Sequence, residues 1–351
     1  MSASITIFGA GSWGTALAVH LAASGRSVTL WARRDEQAAA IRSDRHNPEY
    51  LPDADIPPSV TVTSDLTAAA SASTLWALAV PSQSMRSVAT QLRALLAEEA
   101  SGIPAEEVVL VSLAKGIENE TLMTMSQVLD DVLVPPVDAD RIGVLYGPSH
   151  AEEVAEGRPT TIVAAARDAR VAERIQDVFM TERLRVYANT DVIGVEIGGS
   201  AKNVLAIAAG ISDGIGYGDN AKAALVTRGI AEIKRLGLAL GADSATFAGL
   251  AGIGDLVVTC MSKHSRNRGL GEKVGRGKTL NEVLSGMHMV AEGVRTTQSI
   301  HDLAARHGIE MPITEAVYAV LFEGRHPHEM MDRLMTRSAK RENWLPEVLQ
   351  E

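Results

Sequence analysis

A single lysine stands in a long stretch of apolar and very small residues. Lys202 lies within residues 198–210, which read GGSAKNVLAIAAG, and the nearest other charged residues are Glu196 and Asp213. A buried ammonium needs a partner, a ligand or a path to water, because removing a bare charge from water is very costly. The pattern predicts either a lysine that faces a small molecule, or one whose stem is packed while its head reaches the surface.

A glycine-rich turn near the start of the chain has the spacing of a phosphate-binding loop. Gly9, Gly11 and Gly14 fit G-x-G-x-x-G, with Ser12 and Trp13 between them. The turn follows a β-rich run that ends at residue 8, and it opens a helical pattern before the next β-rich run near residue 28. In such a unit the glycines permit close backbone approach to a pyrophosphate, which the helix N-terminus stabilises. We therefore predict a dinucleotide site.

The end of the second predicted strand carries arginines, where an acidic residue would bind the ribose hydroxyl of NAD. Arg33 and Arg34 suit the 2′-phosphate of NADP, through paired hydrogen bonds or by stacking on adenine. Asp35 is available to a ribose hydroxyl, and a solvated helix start is the alternative interpretation. The residues favour NADP over NAD and leave the use of both cofactors open.

Polar groups also follow two later predicted strands. Lys115 comes after residues 108–111, and Gly147 and Ser149 come after residues 142–145. The carboxyl ends of parallel strands form the edge at which ligands bind in open α/β folds. Gly147 would bring backbone amides against a ligand, and Ser149 would donate a hydroxyl hydrogen. A surface lysine and an ordinary turn are the alternatives.

The second half of the chain contains an isolated acid and an anion-binding pattern. Asp255 stands among glycines and apolar residues at 252–256. Ser265, Arg266 and Asn267 open a helical pattern, and a guanidinium fork, an amide donor and the positive end of a helix suit a bound anion. A charge-rich surface turn is the alternative interpretation.

The elements that would position these residues change character along the chain. In the first half, helical patterns alternate with β-rich apolar runs at residues 5–8, 28–31, 75–80, 108–111, 142–145, 160–164 and 184–187. Such runs indicate a parallel sheet covered on both faces. Beyond about residue 190 only helical patterns remain. The predicted fold class is α/β: a Rossmann-like, doubly wound parallel sheet that binds NAD(P) at residues 1–190, then an all-helical substrate and catalytic domain at residues 191–351.

Composition limits the remaining classes of function. The 351 residues carry a net charge of -10, so no overall positive field draws nucleic acid or an anionic membrane. The single cysteine, Cys260, suits a reducing compartment and a role as a small buried residue. Residues 1–25 lack the basic start and unbroken apolar run of a signal peptide. We expect a cytoplasmic protein with no membrane span and, from the histidine spacing, no metal site.

Seven motifs, in order along the chain, resemble one enzyme family. They are GAGSWG at 9–14, RHNPEYLP at 45–52, AKG at 114–116, GPS at 147–149, GGSAKN at 198–203, GIGD at 252–255 and SRNR at 265–268. The chain resembles the bacterial NAD(P)-dependent glycerol-3-phosphate dehydrogenases over nearly its whole length. The resemblance implies hydride transfer with NAD(P)(H) that interconverts sn-glycerol 3-phosphate and dihydroxyacetone phosphate, and so supplies glycerol 3-phosphate for phospholipid synthesis.

The same resemblance implies roles for single residues. Lys202 matches the family's proton-transfer residue, and Asp255, Lys115 and Asn203 complete the implied catalytic group. The implied cofactor contacts are Gly9, Gly11, Ser12, Trp13, Gly14, Arg33, Arg34, Lys115, Ala151, Arg266, Val290 and Glu292. The implied substrate contacts are Lys115, Gly147, Ser149, Lys202, Asp255, Ser265, Arg266 and Asn267. Arg34 occupies a position whose charge varies in the family, which leaves the cofactor preference open.

The chemistry of the implied reaction suits a lysine at position 202. Oxidation at C2 requires loss of the C2 hydroxyl proton, so a base must lie within about 3 Å of that oxygen. In the reductive direction, an ammonium already holds the proton that the carbonyl oxygen needs. Burial and the like charge of Lys115 would favour the neutral amine, whereas Asp255 would favour the ammonium. Asn203 would orient the carbonyl or the lysine.

Two other interpretations stay open at the level of the residues. Another two-domain dehydrogenase, of the 3-hydroxyacyl-CoA or 6-phosphogluconate type, would need a catalytic histidine–glutamate pair or a different lysine context. A non-catalytic NAD(P)-sensing protein would bind cofactor with Lys202 and Asp255 dispensable. The pattern at residues 265–267 favours a small phosphoester substrate, and the formation of a homodimer is left open.

Overall fold

The computed structural model describes residues 4–287 and 291–338, which fold as two compact units. The first comprises the described part of Met1–Lys115 together with Met125–Val192, and the second comprises Gly116–Thr124 and the described part of Ile193–Glu351. Ile117 and Leu122 enter the core of the second unit. The hydroxyl of Ser299 also donates to the Ile117 carbonyl oxygen at 3.0 Å. The sequence pattern did not predict that Gly116–Thr124, which lies between two parts of the first unit in the chain, belongs to the second unit.

The first unit is built on an eight-stranded, mostly parallel sheet with strand order β3-β2-β1-β4-β5-β6-β7-β8. The strands are β1 (Ser4–Phe8), β2 (Ser27–Trp31), β3 (Val60–Thr63), β4 (Leu75–Leu78), β5 (Val109–Ser112), β6 (Ile142–Tyr146), β7 (Thr160–Ala166) and β8 (Leu184–Asn189). All seven predicted strands are present, and the α/β fold class is confirmed. The edge strand β3 was not predicted from the sequence.

One detail of the sheet differs from the prediction. Strands β1 to β6 run parallel, whereas β7 is antiparallel to β6 and β8 is parallel to β7. A parallel return usually needs a helix that carries the chain back along the strand. Between β6 and β7 the only helix is α6 (Ala151–Ala155), which at 1.5 Å per residue is only about 7 Å long. The chain therefore reverses direction at this edge.

The helices of the first unit connect these strands, and the strand order changes direction between β1 and β4. Besides α6, they are α1 (Ser12–Ala23), α2 (Asp35–Asp44), α3 (Leu66–Ala70), α4 (Met85–Ala97), α5 (Met125–Leu133) and α7 (Ala169–Phe179). In an open α/β sheet, the loops that follow the two strands at such a point diverge and leave a crevice for a ligand. The glycine turn follows β1 and therefore lies at this point.

In the second unit, the described residues after β8 form helices and contain no strand. The helices are α8 (Val192–Ile215), α9 (Gly218–Ala239), α10 (Asp255–Met261), α11 (Arg266–Gly275), α12 (Leu280–Ser285), α13 (Glu292–Arg306), α14 (Pro312–Phe322) and α15 (Pro327–Met335). Among the described helices, only α8 is long and apolar enough to cross a membrane, and 94% of its apolar window is buried in the protein. Such burial is what a core helix shows, so α8 is weak evidence for a membrane span.

A buried carboxyl group joins two helices of this second unit. Glu232 on α9 is 3% exposed, and it accepts hydrogen bonds from the backbone N–H of Ile313 at 2.9 Å and of Thr314 at 3.4 Å, at the start of α14. Burial raises the pKa of Glu232 to about 7, against the opposing effect of these hydrogen bonds and of Arg235. The side chain thus caps α14 while carrying a proton below neutral pH.

The stability of the protein should therefore depend on the protonation of Glu232. Between its unfolded pKa of 4.5 and its folded value of about 7, the folded state keeps a proton that the unfolded chain releases. The contribution of Glu232 is complete below pH 4.5 and falls by about 3 kcal/mol as the pH rises through 7. We predict that Glu232→Gln loses this pH dependence, when urea unfolding is compared at pH 5 and pH 8.

The matched control for this prediction is Glu323→Gln, which changes an exposed carboxylate at the C-terminal cap of the same helix α14. Its free energy of unfolding should follow that of the parent protein at both pH values. If the parent and Glu232→Gln kept the same pH dependence, the carboxyl group of Glu232 would not titrate in this range.

Candidate active site

The glycine turn of the first unit has the shape of a phosphate-binding loop. Gly9 has φ +120, and a Cβ on it would lie 2.6 Å from the Ala79 carbonyl oxygen. A Cβ on Gly14 would lie 2.0 Å from the Gly9 carbonyl oxygen, so neither position accepts a side chain. A Cβ on Gly11, by contrast, would meet nothing within 4 Å. Open space at the start of α1, with no acidic residue in its first turn, fits a pyrophosphate.

Side-chain amides from later segments hold this turn in place. The amide of Asn47 donates to the Ala10 carbonyl oxygen at 2.9 Å and to the Thr15 hydroxyl at 2.8 Å. The amide of Gln37 donates to the same carbonyl oxygen at 2.8 Å. Asn47 is buried and belongs to the motif at 45–52, to which the sequence analysis had given no role. The motif could be recognised in the sequence, but its contact with the glycine turn follows only from the fold.

The arginine pair lies at the carboxyl end of β2, directly before α2. Arg33 and Arg34 are both exposed, and the guanidinium of Arg34 forms an ion pair with Glu49. Asp35 accepts a hydrogen bond from the Ser64 hydroxyl at 2.6 Å. The carboxylate that pairs with Arg34 therefore comes from the 45–52 segment, a contact that was not predicted from the sequence.

Three predicted residues meet at the carboxyl ends of β5 and β6. The Lys115 ammonium donates to the Gly147 carbonyl oxygen at 2.7 Å and lies 3.4 Å from the Ser149 hydroxyl oxygen. This contact lies within the protein, and the approach of Gly147 backbone amides to a ligand stays a prediction. Ala151 begins α6 and is buried in a small apolar cluster with Ala16.

The most buried charges of the candidate site lie in the second unit. The Lys202 ammonium forms an ion pair with the Asp255 carboxylate and donates to the Thr259 hydroxyl at 2.9 Å. Lys202 is 6% exposed and Asp255 is 0% exposed. The alternative of a lysine whose head reaches the surface is therefore wrong. Thr259 was missed, although it lies four residues after Asp255, a spacing that puts both on one face of a helix.

Close backbone packing brings Asp255 to Lys202. Gly198 and Lys202 are one turn apart on α8 and so share a face. A Cβ on Gly198 would lie 2.5 Å from the Ala251 carbonyl oxygen, so the backbone at Ala251 packs directly against α8. The chain then passes through one turn of π-helix at Leu250–Gly254 and begins α10 at Asp255. The glycine therefore sets the distance that the lysine side chain must span.

The predicted anion-binding residues open α11. The Ser265 hydroxyl caps this helix by accepting from the Arg268 backbone N–H at 3.2 Å. Asn267 is buried, and its side-chain oxygen accepts from the Gly293 backbone N–H at 3.0 Å. This bond directs the amide oxygen of Asn267 toward α13. Arg266 is exposed in the first turn, where the positive end of the helix adds to its charge.

The remaining predicted residues lie around the start of α13, with one exception. A Cβ on Gly293 would lie 2.9 Å from the Asn203 carbonyl oxygen, so Asn203 and Asn267 both border this glycine. Glu292 is the first residue of α13. Val290, which the sequence analysis assigned to the cofactor, lies outside the described residues.

An ion cluster fixes the first turn of α11 to two other helices. Asp213 on α8 accepts from the Arg268 guanidinium at 2.6 Å and from the Lys222 ammonium on α9 at 2.5 Å. All three side chains are largely buried, with exposed fractions of 11% to 17%. The cluster was not predicted, because its members are separated in the sequence by up to 55 residues.

The environment of Cys260 and the arrangement of possible metal ligands bear on two other kinds of chemistry. Cys260 is buried, and burial raises the pKa of its thiol to about 12. A thiol in this state is a poor nucleophile, in agreement with its predicted role as a small buried residue. Within residues 4–287 and 291–338, no group of three or more His, Cys, Asp or Glu side chains is arranged to hold a metal ion.

Two family models match the chain in sequence. The N-terminal model of NAD-dependent glycerol-3-phosphate dehydrogenase matches residues 4–172, and the C-terminal model of the same enzyme matches residues 191–332. A curated relative from Salinibacter ruber, glycerol-3-phosphate dehydrogenase (NAD(P)+) 2, is 70% identical over 99% of both chains. A relative from Chlorobium phaeobacteroides, glycerol-3-phosphate dehydrogenase (NAD(P)+), is 51% identical over 96% of this chain and 98% of its own.

A solved structure matches the fold of the whole chain. The crystal structure of glycerol-3-phosphate dehydrogenase from Coxiella burnetii has a TM-score of 0.89 and 37% sequence identity, and the match covers 96% of this chain and 99% of that one. The likeness therefore includes both the strand-containing and the helical parts.

The two glycines at 11 and 14 should respond differently to the same methyl group. Gly11→Ala should change the free energy of unfolding by about 1 kcal/mol or less, because its Cβ points into open space. It should weaken NADH and NADPH binding at least about tenfold, since the methyl group occupies the space that a phosphate would need. Gly14→Ala should instead destabilise the protein by about 2 kcal/mol or more, through its clash with Gly9.

Urea unfolding and fluorescence titration with each cofactor measure the two effects separately. Tight cofactor binding by a folded Gly11→Ala variant would show that the pyrophosphate does not approach the turn at this position.

Proposed function

This chain belongs to the NAD-dependent glycerol-3-phosphate dehydrogenase family, and we propose that Lys202 is the residue that moves the proton in the family's reaction. The enzyme interconverts sn-glycerol 3-phosphate and dihydroxyacetone phosphate, using NAD or NADP. When bound, the nicotinamide supplies or accepts the hydride. The observation that carries the role of Lys202 is its burial beside a fully buried carboxylate and a threonine hydroxyl.

Lys202 acts as the acid in ketone reduction and as the base in alcohol oxidation. Its ammonium holds three hydrogens in a tetrahedral arrangement. The contacts with Asp255 and Thr259 hold the nitrogen in place, at the position from which it gives a hydrogen to the C2 oxygen in this proposal. Reduction places a negative charge on the C2 oxygen, which the lysine proton neutralises. In the reverse direction, the neutral amine takes the C2 hydroxyl proton.

Asp255 supports this role by stabilising the ammonium after proton uptake. A buried lysine without a counterion would lose its proton because of desolvation, and would then lack the proton needed for reduction. Asn203 lies one residue beyond Lys202, is buried and borders Gly293. We assign to it a hydrogen bond to the substrate carbonyl oxygen, which would hold that oxygen toward the lysine.

Arg266 and Asn267 bind the substrate phosphate in this proposal, with Ser265 as the cap of their helix. An arginine fork and the positive end of α11 both favour an anion. The capping bond of Ser265 and the bond between Asn267 and Gly293 hold this turn in one conformation. Ordering the turn before substrate arrives lowers the entropic cost of binding.

The pyrophosphate contacts belong to the first unit in this proposal, whereas Lys202 and Asp255 belong to the second. Gly9, Gly11 and Gly14, with Ser12 and Trp13 at the start of α1, hold the pyrophosphate. The direct roles of Arg33, Arg34, Lys115, Gly147, Ser149, Ala151, Val290 and Glu292 toward cofactor or substrate stay predictions from the sequence, as do the domain bounds 1–190 and 191–351.

Family membership also bears on the other interpretations. The two family models match glycerol-3-phosphate dehydrogenase and favour it over the 3-hydroxyacyl-CoA and 6-phosphogluconate types and over a non-catalytic NAD(P) sensor. We further propose that the enzyme works in the cytoplasm and supplies phospholipid synthesis, a location supported by its single, buried cysteine. A homodimer stays an open prediction.

The activity is tested by mixing the protein with dihydroxyacetone phosphate and either NADH or NADPH, and following the absorbance of the reduced cofactor. Oxidation with at least one cofactor, dependent on dihydroxyacetone phosphate, is the expected result. Absence of oxidation with both cofactors, in a folded sample that binds them, would rule out the proposed reaction.

Lys202→Met should lower kcat by about 10²–10⁴-fold, the usual contribution of a positioned acid or base. Cofactor affinity, measured by fluorescence titration, should stay unchanged. Because the variant leaves Asp255 buried without its counterion, which costs about 3–5 kcal/mol, Lys202→Met combined with Asp255→Asn provides a neutral, better-folded comparison with the same loss of turnover.

The matched control for Lys202 is Lys222→Met, which removes another buried lysine that pairs with an aspartate in the same unit. This variant should keep a kcat near that of the parent enzyme. If Lys202→Met also kept a near-normal kcat, Lys202 would have no part in proton transfer.

Arg266→Ala should raise KM for dihydroxyacetone phosphate by about 10- to 100-fold, which corresponds to the loss of one charge-assisted contact. Its effect on kcat should be much smaller, because the arginine does not move a proton. Arg276→Ala changes an exposed arginine that follows α11 and should leave KM unchanged. An unchanged KM in Arg266→Ala would place the phosphate elsewhere.

A further inference from the structure

The nucleotide site carries a carboxylate from an unexpected part of the chain. A dinucleotide-binding sheet usually presents an acid at the end of its second strand, which binds the ribose 2′-hydroxyl. Here β2 is followed by Arg33 and Arg34, and Arg34 forms an ion pair with Glu49. Glu49 follows Arg34 by 15 residues, beyond the end of α2. The acid is therefore supplied by the 45–52 segment rather than by the strand.

Neighbours on both sides of Glu49 are attached to the pyrophosphate turn and its helix. Asn47 donates to the Ala10 carbonyl oxygen at 2.9 Å. The Tyr50 carbonyl oxygen accepts from the Ser12 hydroxyl at 2.8 Å. Burial raises the pKa of Tyr50, and a side-chain hydrogen bond to Glu49 raises it further. The backbone that carries Glu49 is thus fixed to the elements that would bind the dinucleotide phosphates.

The ion pair itself is weak enough to open. The Arg34 and Glu49 side chains are 47% and 43% exposed, and a pair of this exposure shifts an equilibrium by no more than about fivefold. Glu49 nevertheless raises the pKa of Arg34, by its hydrogen bond and by its charge. A ligand phosphate with a charge of about −2 can compete with this carboxylate for the guanidinium.

We propose that Glu49 sets the balance between NAD(H) and NADP(H) by holding the guanidinium of Arg34, an inference that rests on the proposed function. With a ribose 2′-hydroxyl the ion pair stays closed, and the Glu49 carboxylate is an acceptor for that hydroxyl. With a 2′-phosphate, Arg34 must exchange Glu49 for the phosphate. Breaking this ion pair therefore opposes the binding of the 2′-phosphate. Glu49 is thus a specificity-determining residue that acts through Arg34.

Glu49→Gln tests this directly, with 2′,5′-ADP and 5′-AMP as probes. Calorimetric titration should show that the variant binds 2′,5′-ADP about three- to fivefold more tightly than the parent does, while its affinity for 5′-AMP stays the same or falls. The ratio of kcat/KM for NADPH to that for NADH should rise by a similar factor. Glu36→Gln, which removes an exposed carboxylate from the first turn of α2, should change the two affinities and the kcat/KM ratio by less than about twofold.

The same substitution in an Arg34→Gln background separates the two ways in which Glu49 could act. If Glu49 works by holding Arg34, Glu49→Gln should change 2′,5′-ADP affinity by less than about twofold in that background. An equal gain in both backgrounds would overturn the proposal, because the charge of Glu49 would then act on the phosphate directly. An unchanged preference in Glu49→Gln alone would also overturn it. Absence of turnover with dihydroxyacetone phosphate in the parent protein would instead refute the proposed function.

Discussion

The candidate active site depends on one buried ion pair. Lys202 and Asp255 lie in the interior of the second unit, where neither charge would be tolerated alone. Each is stable there because the other is within contact distance and because Thr259 adds a hydrogen bond. The helix that carries the lysine must therefore pack closely on the turn that carries the aspartate. Gly198 permits that approach, so the lysine can remain charged without water around it.

The same helix α8 positions the proposed phosphate-binding turn, again through backbone contact. A Cβ on Gly210 would lie 2.0 Å from the Arg268 carbonyl oxygen, and one on Gly271 would lie 2.1 Å from the Ile207 carbonyl oxygen. Helices α8 and α11 therefore touch along their backbones, and larger side chains would separate them. Asp213 adds a largely buried ion pair to Arg268 at this crossing. One helix thus carries the proposed proton-transfer group and fixes the start of α11, which limits variation in the distance between them.

The sequence predicted what depends on local pattern and missed what depends on contacts between distant segments. Seven strands were recognised because buried strands are continuous apolar runs, whereas β3 (VTVT) has exposed positions and lies at the sheet edge. Lys202 was recognisable as an isolated charge in an apolar helix. Thr259 lies four residues after Asp255 and could have been found from that spacing, but the ion cluster around Asp213 and the pair of Glu49 with Arg34 join segments that only the fold brings together. No spacing rule relates such residues, so only the folded structure could reveal them.

Burial explains why the roles that we propose for two carboxylates beside cations differ. Asp255 is 0% exposed, so no solvent can replace its contact with the Lys202 nitrogen, and the amine must keep donating a hydrogen bond to the carboxylate after it gives up a proton. Glu49 is partly exposed, so water can solvate both groups when the pair opens, and Arg34 can exchange one anion for another at little cost. The buried pair therefore suits repeated proton transfer at a fixed position. The exposed pair suits a choice between ligands. Only a small free energy holds it closed, so the binding of a ligand phosphate to Arg34 can open it.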